Sequence, residues 1–268
     1  MRRSGSDLKD YDSLSTIYDR MQDGAEAERL SAYACELAST YGTTPEGRGD
    51  GKDGRRLLVD LGCGTGAFSR LMAARGFDVI GIDASDGMLR QAMDATSPES
   101  SDILYLQQDI TRFELFGTVD VICCLTDTVN HVTSSTALQR MLRLCRQYLN
   151  PEGVFVFDVA TRRHFSRRLG CRTLFEVGDE TVLFWRNAFS RATGRNTADL
   201  VLFTNNGDGT WTRGDETIAE RAYDIRTLTA MLRTAGFAGI RVFDALRRTP
   251  ASSASHRVFF VCTPSVNP

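Results

Sequence analysis

Val59-Asp60-Leu61-Gly62-Cys63-Gly64-Thr65-Gly66-Ala67-Phe68 decides how the chain is read. The stretch ends a short apolar run at 57–61 and opens a run of helical character at 67–75. In a parallel sheet this is where a nucleotide-like cofactor meets the carboxyl edge. Glycines at 62, 64 and 66 let the backbone turn sharply and approach a ligand that a Cβ would push away. A purely structural β–α turn rarely needs so many glycines so close together. Gly62-x-Gly64-x-x-Ala67 also satisfies the dinucleotide pattern G-x-G-x-x-G/A, so the glycines alone do not choose a cofactor. Asp60 does. An acid just before the loop repels a diphosphate and suits a cationic amino group, and this favours S-adenosylmethionine over a nicotinamide.

Outward from the loop the pattern is rhythmic. Apolar strands are predicted at 57–61, 78–82, 103–107, 119–125 and 153–159, with helices at 67–75, 87–93 and 136–149, the last stopped by Asn150-Pro151. Strands alternating with helices predict parallel βαβ units, and unbroken apolar strands predict burial on both faces. After Thr161 the rhythm breaks. Strands are read at 174–177, 181–189, 199–204 and 210–220, with Asn205-Asn206-Gly207-Asp208-Gly209 as a hairpin turn. Asp224 then caps a helix that runs through Ala235 and stops at Gly236, and strands at 240–246 and 257–263 close the chain. At the other end, Leu14, Ile17, Tyr18 and Met21, then Leu30, Tyr33, Ala34 and Leu37, recur at helical spacing, and 42–54 is a polar linker. The expected organisation is a helical lid and linker at 1–54, a doubly wound α/β core at 55–172 and 223–268, and an antiparallel insertion at 173–222.

Two further acids follow Asp60. Asp83 closes the second strand, about twenty residues past the first glycine, where a carboxylate accepts hydrogen bonds from ribose hydroxyls. Asp109 follows the third strand and can accept from an adenine amino group. Each alone could be turn chemistry. Acids at three successive strand ends make a row along one sheet edge, and the row is the signal.

The rest of the composition bounds the reading. The chain has 268 residues, 42% hydrophobic and 25% charged, and a net charge of −2, which excludes a disordered tail or a collagen-like repeat. That balance supplies no overall field for nucleic acid or an anionic membrane. The apolar runs are far shorter than the roughly 18 residues of a membrane helix. No apolar stretch follows Arg2-Arg3, so no secretion signal is read. Seven cysteines without a C-x-x-C pair read as reduced, buried thiols of a cytoplasmic protein, and three scattered histidines offer no metal-ligand spacing.

The sequence resembles the class I S-adenosylmethionine-dependent methyltransferases. The carrying residues are the 59–66 loop, then Gly81-Ile82-Asp83-Ala84-Ser85-Asp86-Gly87-Met88-Leu89, Gln108-Asp109-Ile110 and Leu149-Asn150-Pro151-Glu152-Gly153. It is most similar to a bacterial branch marked by a Tyr-Asp pair in the N-terminal helix, here Tyr18-Asp19, by Asp127-Thr128-Val129-Asn130-His131 after the fourth strand, and by an antiparallel insertion. The resemblance implies a seven-stranded Rossmann-like sheet and S-adenosylmethionine as cofactor. It implies that Gly62, Cys63, Gly64 and Gly66 line the cofactor's amino acid end, with Asp60 near its ammonium. Asp83 would hold the ribose, with Ala84 and Met88 beside the adenosine. Asp109 and Ile110 would hold the adenine. Leu125 would lie against the cofactor, Thr126 and Asp127 would face the methyl, and Tyr18 would belong to the lid.

Methyl transfer needs alignment and exclusion of water, and needs a base only for an acceptor that arrives protonated. Asp127 and His131 are the candidate bases, and with Asn130 the candidate contacts to a small or medium-sized acceptor. Other readings stay open: an RNA methyltransferase using Arg162, Arg163, Arg167 and Arg168 with Phe165 to stack on a base, or a cofactor-binding module whose transfer activity is vestigial. Phe184, Trp185, Phe189, Phe203 and Trp211 are expected to form the inserted sheet's own core or to wall an acceptor pocket.

Overall fold

Residues 24–42, 49–96 and 103–265 are described by a computed structural model of the chain. Helix α1 (Gly24–Tyr41) leads, followed after a 3₁₀ turn (Lys52–Gly54) by β1 (Leu57–Leu61), α2 (Ala67–Ala73), β2 (Asp78–Asp83), α3 (Asp86–Asp94), β3 (Leu104–Gln107) and β4 (Val119–Cys124). Next come α4 (Thr128–His131), α5 (Ser135–Tyr148), β5 (Leu149–Ala160) and α6 (Arg162–His164), which continues as a π turn (Phe165–Leu169). The insertion supplies β6 (Thr173–Val177), β7 (Thr181–Ser190), β8 (Arg195–Asn205) and β9 (Trp211–Arg221), and α7 (Ile225–Ala235), β10 (Gly239–Asp244) and β11 (Arg257–Thr263) close the described chain.

The large sheet has seven strands in the order β10-β11-β5-β4-β1-β2-β3. Strands β3, β2, β1, β4 and β5 are parallel, and β11 runs antiparallel between β5 and β10. The fold is therefore the expected Rossmann-like one with an extra antiparallel sheet. Successive side chains of each central strand enter opposite layers. Leu58, Val79, Val121 and Phe259 meet Leu30, Ala34 and Leu37 of α1 on one face, so the helical spacing in 30–37 is a core stripe. Val59, Ile122, Phe155 and Phe260 meet Leu138, Met141 and Leu142 of α5 and Leu228 and Leu232 of α7 on the other. Burying one such side chain stabilises the fold by roughly 1.5–3 kcal/mol. Strand order reverses between β1 and β4, and in open α/β sheets the crevice at such a switch point takes the ligand.

The second sheet is a meander in the order β6-β7-β8-β9. Its 205–209 turn is the predicted hairpin, with Gly207 and Gly209 at φ +81° and +88°. β8 starts at Arg195, four residues before the predicted strand, because Asn196 is a polar residue on the inward face and hides the alternation. The aromatics divide. Trp185 packs with the small core of Leu183, Ala198, Leu200, Leu202 and Ile218, and Phe189 stacks on Phe165. Phe184 and Trp211 point to solvent, which corrects the reading of all five as core or pocket wall.

The sheets are joined by a few polar clamps. The Arg221 guanidinium donates to the Thr133 carbonyl at 3.0 Å and to the Ser135 hydroxyl at 2.9 Å. Asp224 makes no side-chain cap and instead pairs with Arg162 at 3.2 Å. Arg162 also donates to the Arg191 carbonyl, and Phe165 is fully buried, so it cannot stack on a nucleobase. No helix among the described residues is long and apolar enough to cross a membrane.

Candidate active site

At the β1–β4 switch point the ends of both strands and α1 enclose a cleft lined by Leu30, Asp60, Gly62, Cys63, Gly64, Thr65, Ala67, Phe68, Leu125 and Thr126. The glycine loop forms its floor. Gly62 has φ +74°, and a Cβ there would stand 2.4 Å from the Thr128 methyl. Gly66, at φ +75°, would meet the Tyr105 hydroxyl at 2.4 Å. Both positions demand glycine for conformation and for space.

The loop's N–H groups are turned inward. Gly62 and Cys63 donate to the Ile82 carbonyl at 2.7 and 3.0 Å, Gly64 to the Asp83 carboxylate at 2.9 Å, and Gly66 to the Cys63 carbonyl at 2.9 Å. A phosphate cradle needs such donors pointing at the ligand. Here three of the four are spent on the end of β2 and the fourth on the loop's own Cys63 carbonyl, and the nearby side chains are carboxylates. A cationic nucleoside without phosphate fits this floor; a dinucleotide does not.

Asp60 is buried, with one oxygen held by the Ser69 hydroxyl at 2.6 Å. Burial pushes its carboxyl up to about 7, with Asp83 adding to the rise and Ser69 opposing it. Asp83 is raised by burial too, while the N–H groups of Ser85 and Gly64 and the charge of His131 work against the rise. Ser85 caps α3 through the Met88 N–H at 3.1 Å, which seats buried Met88 beside the loop that Asp83 holds. Ala84 accepts from Gln107 at 3.3 Å. Asp109 spends its carboxylate within its own turn, on the Thr111 N–H and hydroxyl and on Arg112. It therefore shapes the turn that carries buried Ile110. Tyr18 lies outside the described residues.

On the β4 side the backbone is strained. Thr126 and Asp127 are successive non-glycine residues at φ +57° and +64°. Such conformations cost about 1–3 kcal/mol each and cluster at functional sites. Three hydroxyl or amide donors, the Thr126 and Thr128 side chains and the Thr128 N–H, converge on the Leu125 carbonyl and hold the bend. Asp127 stands at the N-cap of α4, but its side chain makes no capping hydrogen bond. One oxygen pairs with Arg257 at 2.7 Å, and the other is buried without a partner. Arg257 also grips Asp158, a fully buried carboxylate on β5. Burial raises Asp158 and the guanidinium restrains it. Burial lowers the nearby His164.

Asn130 is corrected from acceptor contact to structural clamp. It is fully buried, its amide donates to the carbonyls of Ala160 and Arg221, and its oxygen accepts from the Ala160 N–H. His131 ends α4, and its charge works against the rise of both the Asp83 and the Glu220 carboxyls. Arg257 and Asp158 are the residues the sequence reading missed. Only a charged pair inside two otherwise apolar strands, 154–160 and 257–263, could have flagged them. Among the described residues no group of three or more potential metal ligands is found.

Residues 58–153 match the family described as a methyltransferase domain. YqeM of Bacillus subtilis (strain 168), which carries a provisional methyltransferase name, is 29% identical over 93% of this chain and 95% of its own. A solved S-adenosylmethionine-dependent methyltransferase from Clostridium acetobutylicum ATCC 824 superposes with a TM-score of 0.81 at 21% identity, covering 95% of this chain and 99% of that one. The sugar N-methyltransferase KedS8 from Streptoalloteichus sp. ATCC 53650 gives 0.68 at 18% identity, over 99% and 96%. Residues 58–153 thus carry the match to a methyltransferase domain, and the sheet order is that of the solved S-adenosylmethionine-dependent methyltransferase fold.

Proposed function

We propose that the chain transfers a methyl group from S-adenosylmethionine to a small molecule. The supporting observation is the loop whose N–H groups are consumed internally while the Asp60 carboxylate lines the cleft. Gly62, Cys63, Gly64 and Gly66 take the cofactor's amino acid end, with Asp60 facing its ammonium. Asp83 takes the ribose hydroxyls, Ala84 and Met88 flank the adenosine, Ile110 on the turn shaped by Asp109 meets the adenine, and Leu125 packs against the cofactor. When bound, the cofactor supplies a methyl group already activated by a positively charged sulfur. The protein's own share is alignment, which is worth roughly 7–11 kcal/mol for a well-oriented pair, and exclusion of water.

The acceptor enters beside Asp127 and His131. Asp127 contributes its unpartnered Oδ1, while its Oδ2 is held by Arg257. The described cysteines are all unpaired thiols, which suits the cytoplasm as its compartment. Titration with S-adenosylhomocysteine tests the cofactor reading. Binding is expected, weakened roughly tenfold or more by Asp83→Ala, and NADH fluorescence is unchanged by the protein. An Asp83→Ala protein of unchanged affinity removes that residue from the site.

A further inference from the structure

The inward face of the inserted sheet is not uniformly apolar. Its far rungs carry Leu183, Leu200 and Leu202, but the two rungs nearest α4 carry Asn187, Asn196 and Glu220, at 2%, 1% and 8% exposure. The Asn196 amide donates to Asn187 at 3.0 Å and to Glu220 at 2.9 Å, and the Trp185 indole donates to Asn187 at 3.2 Å. That leaves one polar atom on each asparagine, Asn187 Nδ2 and Asn196 Oδ1, buried with no partner. An unmade hydrogen bond of a buried amide is destabilising. A small sheet core gains nothing by carrying two of them.

The row is aimed at the catalytic end. Glu220 precedes Arg221, whose carbonyl is held by Asn130 and whose guanidinium is held by Thr133 and Ser135. The same short segment carries His131; burial raises the Glu220 carboxyl, the charge of His131 works against that rise and the charge of Asp127 adds to it. The unpartnered oxygen of Asp127 completes the set. The available groups are two carboxylates, one amide oxygen and a single amide N–H, with the Trp185 ring alongside. Hydrogen-bond acceptors outnumber donors.

The geometry points to Glu220, Asn196 and Asn187, together with Asp127, as a binding subsite for an acceptor that carries an amine and neighbouring hydroxyl groups. This rests on the proposed methyltransferase reading and adds to it the chemical class of the acceptor and the residues of the insertion that select it. A group rich in donors satisfies the orphaned oxygens, and one hydroxyl oxygen satisfies the Asn187 N–H. A neutral N-acetyl counterpart loses the charge that Glu220 and Asp127 would face.

The test is calorimetric titration of the full chain, saturated with S-adenosylhomocysteine, against a panel of hexosamines and amino alcohols, each paired with its N-acetylated form. Members of the amine set are expected to bind, with their acetylated partners roughly tenfold or more weaker. Glu220→Gln keeps an oxygen for Asn196 and is expected to erase that preference while leaving affinity for S-adenosylhomocysteine unchanged. No binding by any amine, equal binding of amine and amide, or a preference that survives Glu220→Gln each overturns the inference. Failure to bind S-adenosylhomocysteine at all would instead overturn the cofactor reading. The wild-type panel decides the matter even if the variant does not fold.

Discussion

The two halves of the proposed site are built by different means. The cofactor half is mostly backbone: glycines in left-handed conformation, N–H groups tied to the end of β2, and two acids, Asp60 buried and Asp83 half-buried. The acceptor half is mostly side chain: a strained Thr126–Asp127 bend, a guanidinium between two carboxylates, and an asparagine stitching β5 to β9. Backbone geometry suits a ligand that never varies, because its shape is set by the turn. Side-chain geometry can be rewritten residue by residue, which suits a partner that differs between proteins of one fold. The same contrast assigns stability to one half and affinity to the other, and variants can separate them.

The largest effect is expected at Arg257. Removing it strands buried Asp158 and leaves Asp127 unpaired, and breaking a buried pair from one side costs about 3–5 kcal/mol. Arg257→Met should lower the melting temperature by on the order of 10 °C, measured by differential scanning calorimetry, and adding Asp158→Asn should recover part of it. A melting temperature equal to wild type would show that the acceptor half is not held by this clamp. Gly62→Ala comes next. It places a Cβ 2.4 Å from the Thr128 methyl at a positive φ, a conformation that costs roughly 1–2 kcal/mol for a non-glycine residue. The loop must move, so affinity for S-adenosylhomocysteine should fall roughly a hundredfold. If the fall in melting temperature exceeds that of Arg257→Met, the division between the halves is wrong.

This contrast also explains what could be read in advance. The strand–glycine–helix signal and the acids at 60, 83 and 109 are local, since each depends on a few neighbouring residues, and the parallel sheet follows from periodicity. Arg257 meets Asp127 across 130 residues of sequence, and Asn130 reaches Arg221 across 91. No spacing rule reports such contacts, so Asn130 looks like a ligand contact when it is a clamp. Asn196 hid the start of β8 for a related reason: a polar residue on an inward face breaks the alternation that marks a strand.

A middle-sized effect, and one with a sign, belongs to Asp60. Its carboxyl titrates near about 7 in the folded chain, against an ordinary value of 3.8. The unfolded chain ionises first as pH rises, so the contribution to stability is full below about pH 4 and is lost as pH rises through about 7. The ligand's ammonium favours the ionised form, so affinity for S-adenosylhomocysteine should climb over the window in which unliganded stability declines. Asp60→Asn should flatten both curves. At pH 8 it should melt higher than wild type without ligand yet bind roughly tenfold more weakly. Calorimetric titrations at pH 6 and 8 check this, and a pH-independent wild-type affinity would separate Asp60 from the ammonium.

The smallest effect is expected at Asp109, and it sharpens the contrast inside the cofactor half. Asp60 borders the cleft directly, whereas Asp109 faces its own turn, with one oxygen accepting twice from Thr111 at 2.8 Å and the other paired with Arg112 at 3.2 Å. Asn at 109 keeps an oxygen for Thr111 and loses only the pair with Arg112, whose side chain is 69% exposed. An exposed pair of that kind is worth about 0–1 kcal/mol. Asp109→Asn should therefore change affinity for S-adenosylhomocysteine by less than roughly threefold, whereas Asp109→Ala, which frees the Thr111 N–H and loosens the turn carrying Ile110, should cost more than Asn. If Asn and Ala weaken binding equally and strongly, the carboxylate charge itself meets the ligand, and the third acid of the row contacts the cofactor as directly as the first.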